Sequence, residues 1–163
     1  MKKGIDALMM PLLTDTIQDG VDYVLRIVEN GGGECPCCRQ RVQVYRRTIN
    51  SGMARALINQ WRAVGQQWTK TRLLWTMTHE GAQLQWWGLI EPGQARADGG
   101  KGGEWRITDS GRDFVLGQLS VARHAKVFDG SLLGLDASGG YITIEEALSA
   151  EFNYSELMSG SSG

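Results

Sequence analysis

Three cysteines fall within four positions, Cys35-Pro36-Cys37-Cys38. Cys35 and Cys38 make a C-x-x-C pair with a proline inside it, the shape of half a zinc ribbon, whereas structural zinc takes four ligands. The other soft donors in the chain are Cys37, His79 and His124. Three readings stay open: a zinc pair at Cys35 and Cys38, a small packed turn, and a redox dithiol. The redox reading wants a βαβ setting that the flanking residues do not offer. Three cysteines are also too few for a disulfide framework. Catalytic chemistry finds little else. No Ser, Cys or Thr stands in a nucleophile elbow, and there is no phosphate-binding loop. Glu145 and Glu146 are helix neighbours that point apart, and they suit the positive end of a helix dipole. The sequence therefore predicts a protein that is not an enzyme.

The cations offer a different chemistry. The net charge of -1 over 163 residues hides a segregation. Residues 35–79 hold eight basic side chains and no acidic ones, whereas residues 127–163 hold six acidic and no basic ones. A basic centre suits phosphates, which arginine and lysine contact without reading sequence. The candidates are Arg46 and Arg47 at a strand end, Arg55 and Arg62 on one helix face, and Lys70 and Arg72 ahead of the next helix. Arg96 and Lys101 follow in a glycine-rich tip. Gln83 and Gln85 add base-reading capacity, since glutamine pairs bidentately with adenine in the major groove. The opposing reading is that the acidic ends fold back and neutralise the centre.

Apolar spacing indicates the elements that must position these groups. Residues 4–29 read as helix with a break at Pro11, and Gly31-Gly32-Gly33 makes a hinge. Arg41–Arg46 alternates like a half-buried strand. Asn50-Ser51 caps a helix with Met53, Leu57, Trp61 and Val64 inward and Arg55, Asn59, Arg62 and Gln66 outward. Residues 68–75 fit either a strand or a helix. Thr78 caps a helix over 79–87 with Leu84 and Trp87 inward, Trp86 half exposed and Gly88 ending it. Leu89–Glu91 and Glu104–Thr108 then form a hairpin around the tip at 92–103, with Trp105 and Ile107 on its inner face. Asp109-Ser110-Gly111 opens a helix through Leu116. Residues 126–135 read as a second hairpin. His124 falls in a polar connection. Thr143 and Glu146 form a capping box, Phe152 to Met158 form a last amphipathic turn, and Ser159 to Gly163 form a tail.

Leu84-Gln85-Trp86-Trp87-Gly88-Leu89-Ile90-Glu91, a glycine-rich gap, and Gly103-Glu104-Trp105-Arg106-Ile107-Thr108-Asp109-Ser110-Gly111-Arg112 together resemble the winged helix-turn-helix family. There a helix ends at glycine, a Leu-Ile strand opens the hairpin, and an I/L-T-x-x-G-R segment opens the following helix. The resemblance covers residues 52–118. More loosely, the whole chain resembles a group of uncharacterised tailed-phage proteins. The features that align are Cys-Pro-Cys-Cys, Tyr45-Arg46-Arg47 with Asn50 and Met53-Ala54, and Phe152-Asn153-Tyr154 with Leu157-Met158. Arg39 departs from knuckle motifs, which place glycine after the second cysteine.

The expected fold class is α+β: a winged helix-turn-helix core with N-terminal helices, a cysteine turn and strand, and a small C-terminal β-hairpin plus helix. The expected segments are 1–30, 31–50, 51–120, 121–158 and a tail at 159–163. The resemblance implies a DNA-binding protein, a phage-type transcriptional regulator reading duplex DNA with helix 79–87 and wing 92–103. Its alternative is a protein-interaction module that uses the winged helix and the acidic C-terminal segment, through a protein partner or self-association. Because no apolar run approaches 18 residues and no cleavage site follows Met1-Lys2-Lys3, the sequence predicts neither a membrane partner nor a signal peptide. A cytoplasmic location follows, in the host cytoplasm for a phage protein. The sequence predicts no cofactor, with zinc at Cys35 and Cys38 as the one candidate.

Overall fold

The computed structural model describes residues 9–70, 80–100 and 102–160. The candidates Arg72 and Lys101, the cap Thr78 and His79 lie outside the described residues. The architecture is α+β, with helices and small sheets. It divides into two compact units. One runs to Arg46 and takes in Val127–Ser131, and the other holds Arg47–Lys126 and the chain from Leu132 onward.

In the first unit, helix α1 spans Ile17–Glu29. The helical spacing from residue 4 is not realised among residues 9–16; the Asp15 N–H there closes a turn on the Leu12 carbonyl at 3.0 Å. A capping box decides the start. The Thr16 hydroxyl accepts from the Asp19 N–H at 3.1 Å, and the Asp19 carboxylate accepts from the Thr16 N–H at 2.9 Å. Tyr23, Ile27 and Val28 of α1 pack with Val42, and Met10, Val24, Cys35, Val44 and Phe128 close around them. The chain leaves α1 through Gly32 at φ +94°, where a β-carbon would stand 2.4 Å from the Val42 carbonyl oxygen. Only glycine fits there. Strands β1 (Gly33–Glu34) and β2 (Arg41–Val42) pair antiparallel and hold the cysteine turn between them. The strand expected over 41–46 is interrupted, and β3 covers Tyr45–Arg47.

In the second unit, α2 (Ser51–Val64) is capped by Asn50, whose side chain accepts from the Met53 N–H at 2.9 Å. Met53, Ala54, Leu57 and Ile58 are buried, whereas Trp61 and Val64, expected inward, are half-buried. Strands β4 (Thr69–Lys70), β5 (Ile90–Pro92) and β6 (Glu104–Ile107) form an antiparallel sheet in the order β4-β6-β5. Residues 69–70 are therefore strand. Ahead of β5, within the helix expected over 79–87, lies a 3-10 helix, Gly81–Trp87. With three residues per turn it stacks Leu84 directly above Trp87, and both are buried. Gly88 ends it at φ +69°. Trp105 shares the inner face of β6 with Ile107 as expected; Ile107 is fully buried, and Trp105 is half-buried.

Helix α3 (Asp109–Val115) starts at the cap Thr108 and buries Phe114 and Val115. The following hairpin is far longer than the span 126–135. Strand β7 covers Val121–Phe128 and β8 covers Ser131–Ile142, joined by Asp129 and Gly130, both at positive φ. β7 and β8 are hydrogen-bonded to each other. Helix α4 (Ile144–Leu148) carries the expected Thr143–Glu146 capping box, and α5 spans Tyr154–Ser159.

The two capping boxes make the helix starts acid-sensitive. The Thr16 hydroxyl and then the Thr16 N–H hold the Asp19 carboxyl below the ordinary aspartate value. The Thr143 N–H does the same for Glu146. A carboxyl with a depressed folded pKa contributes its full stabilisation above the unfolded pKa and loses it as pH falls through the folded one. Acidification below the ordinary carboxylate range should therefore fray the first turns of α1 and α4 ahead of their last turns. Amide shifts through an acid titration would show this. Simultaneous loss along each helix would contradict it.

Candidate nucleic-acid interface

The outer face of the β4-β6-β5 sheet carries four charges. Lys70 stands opposite Glu104, and Arg106 opposite Glu91. Arg106 and Glu91 are ion-paired, and the Arg106 guanidinium lies 4.7 Å from the Trp68 ring. Each exposed cation of this sheet thus faces an acid in register. Arg96, in the tip between β5 and β6, is exposed and bonds Asp98 at 3.0 Å. The tip is tied by Arg96 N–H to Gly100 carbonyl at 2.7 Å and Gly99 N–H to Arg96 carbonyl at 2.9 Å.

The 3-10 helix beside the sheet presents Gln85 fully and Gln83 in part. Trp86 is half-buried and Trp87 buried, as the sequence predicts. Trp87 is anchored by its indole N–H, which donates to the Ala122 carbonyl at 2.7 Å. This short helix holds no basic side chain.

Arg55 and Arg62 depart from the expected open face. Arg55 is half-buried, with its guanidinium 4.5 Å from the Phe152 ring. Arg62 remains exposed, but its guanidinium lies beside Gly160, the residue that ends α5. Asn59 and Gln66, expected outward with them, are half-buried, and Gln66 donates to Asp109 at 2.9 Å. The cause is the C-terminal segment. It packs α4 and α5 against α2, and Glu151 accepts a hydrogen bond from Ser51 at the start of α2. Tyr154 fixes that segment by donating its hydroxyl to the Val115 carbonyl at 2.8 Å. Burial, followed by the Glu145 charge, raises the Tyr154 pKa. The acidic run and the amphipathic turn over Phe152 to Met158 were its sequence signals.

Arg46 and Arg47 are both exposed on β3. His124 lies half-buried in β7, not in a connection, with Nδ1 out of solvent and unbonded.

The cysteines form a tight knuckle. Cys35 N–H donates to the Gln40 carbonyl at 2.8 Å, and Arg39 N–H donates to the Cys35 carbonyl at 3.0 Å. Arg39 adopts φ +64°, the conformation glycine takes most cheaply. The N–H groups of Cys38 and then Cys37 lower the Cys35 thiol pKa. Cys35 and Cys38 supply two donors to a metal that wants four. Among the described residues, no group of three or more His, Cys, Asp or Glu side chains is arranged to hold a metal ion. The knuckle by itself does not fit a complete zinc site.

The chain matches no family model, no curated protein and no solved structure. No helix of the described residues is long and apolar enough to cross a membrane.

Proposed function

We propose that the second unit is a winged-helix module that binds duplex DNA without catalysing a reaction, as a phage-type regulator working in the host cytoplasm. The observation that carries the reading is the β4-β6-β5 sheet with its extended tip, set beside a short helix that exposes Gln85. This is the arrangement in which a helix enters a major groove while a hairpin tip reaches phosphates or the neighbouring groove. Gln85 is the base-reading group, and Arg96, Lys70 and Arg62 are the exposed cations that contact phosphates. Arg55 plays no part, because its guanidinium stacks on Phe152.

A second reading, a protein-interaction module, draws on the pairing of sheet cations with acids in register, which lowers the positive field available to phosphates. The same fold supports either use. Salt titration of duplex binding separates them. Under the DNA reading, log K falls linearly with log[salt], and Arg62→Ala or Arg96→Ala lowers the slope by about one unit each on every sequence. Gln85→Ala leaves the slope intact and relaxes discrimination at one base position by about 1–3 kcal/mol. Absence of binding at low salt, with a protein partner retained through purification, would replace the DNA reading with the second.

A further inference from the structure

Helix α1 is apolar around far more of its circumference than its own unit covers. At 100° per residue, Tyr23, Ile27, Gly20, Val24, Ile17, Val28, Val21 and Leu25 span an arc of about 200°, twice the stripe a single packing contact needs. Tyr23, Ile27 and Val28 fill the unit's core. Ile17, Val21 and Leu25, spaced four apart, stay open at 89%, 45% and 53% exposure. Leu12 and Leu13 extend the stripe beyond the helix start, with Leu13 97% exposed. These residues and Phe128 line a groove of about 530 Å³ that is wholly within the first unit. A contiguous apolar patch of this kind marks an interaction surface.

Charge selects the occupant. Asp15 and Asp129 line the groove, and Asp19 and Asp22 line the adjoining hollow together with Leu25 and Arg26, so four acids face one cation. The sole cation of α1 is Arg26. The rim therefore repels nucleic acid and anionic lipid, and a second copy would bring the same acids against it. We propose that this groove docks a cationic amphipathic helix of a protein partner, with apolar residues against Ile17, Val21 and Leu25 and Lys or Arg against the aspartates. Helix α1 is thirteen residues long, so it matches about four turns of partner helix. The site is separate from the nucleic-acid reading of the second unit and does not depend on it.

The test uses the full chain and a fluorescein-labelled peptide of about 14 residues, leucine on one face and lysine on the other, followed by anisotropy. The same peptide with glutamate for lysine is the control. The lysine peptide should bind at least about tenfold more tightly than the control. The pair Ile17→Ser and Leu25→Ser should weaken it about tenfold or more with unchanged circular dichroism and melting midpoint, since both side chains are already open to water. Asp15→Asn with Asp22→Asn should weaken it about threefold and flatten its salt dependence. The proposal is overturned by equal binding of both peptides, or by serine variants that bind like the parent. It is equally overturned by a dimer that Ile17→Ser dissociates, by vesicle binding lost in the same variants, or by peptide binding that appears only after residues 1–8 are removed. Those three outcomes would assign the groove to a second copy, to lipid, or to the chain's own N-terminus.

Discussion

Trp87→Ala should destabilise the second unit by about 3–5 kcal/mol, the range for removing a large buried aromatic. Trp87 is 5% exposed and ends the 3-10 helix, on the same buried face as Leu84. Two effects combine. The first is the loss of packing and the cavity that results. The second is the Ala122 carbonyl, whose hydrogen bond from the indole at 2.7 Å disappears inside the protein; a buried acceptor left unpaired costs about 1–3 kcal/mol. Trp86 is the internal control. It adjoins Trp87 with ring centroids 6.4 Å apart, yet it is half-buried and donates no comparable bond among the described residues. Trp86→Ala should cost about 1 kcal/mol. Denaturant midpoints at constant slope measure both. Equal losses at the two positions would mean that the 3-10 helix presents the wrong face to the core.

Gly111→Ala should also be severely destabilising, against the helix-propensity rule. In an open helix, alanine is about 1 kcal/mol better than glycine. Gly111 sits inside α3, where a β-carbon would stand 2.0 Å from the Leu89 carbonyl oxygen and 2.7 Å from Ile107 Cγ2. The Leu89 backbone cannot retreat cheaply. Its carbonyl accepts the Thr108 N–H at 3.1 Å, and the Thr108 hydroxyl, which also caps α3, bonds the Gly88 carbonyl. Prising α3 from this crossing should cost about 3 kcal/mol, at the upper end of overpacking. At Gly20 in α1 an added β-carbon would meet nothing within 4 Å, so Gly20→Ala should stabilise its helix by about 1 kcal/mol. Opposite signs in thermal melts and amide exchange would verify the pair. A stabilised Gly111→Ala would show that α3 does not cross Leu89 so closely.

Much of the local structure was legible because its causes are local. Asn50 and Thr143 announce helix starts through side chains that satisfy N–H groups three residues on. Gly88 announces a helix end, and Leu84 and Trp87 were inward under either helix period, since both periods bring residues three apart onto one face. The same short-range logic was present but unread at Thr16 and Asp19, where apolar spacing from residue 4 suggested a longer helix.

The tertiary structure decided whatever depended on a choice of long-range partner. Spacing assigned Arg55 and Arg62 to one face of α2, but it carried no information on what approaches that face. Phe152 and Gly160 arrive there from about a hundred residues away along the chain. Lys70 with Glu104 and Arg106 with Glu91 likewise became neighbours only once the β4-β6-β5 register was set. The wide apolar arc of α1 was present in its residues, yet which half would be buried was not. Tyr23, Ile27 and Val28 turn inward because Val42 and Phe128 cover them, and Ile17, Val21 and Leu25 stay open because no described element does. A capping hydrogen bond is decided within one turn of chain, whereas burial and charge pairing are decided by whichever surfaces meet when the chain closes on itself.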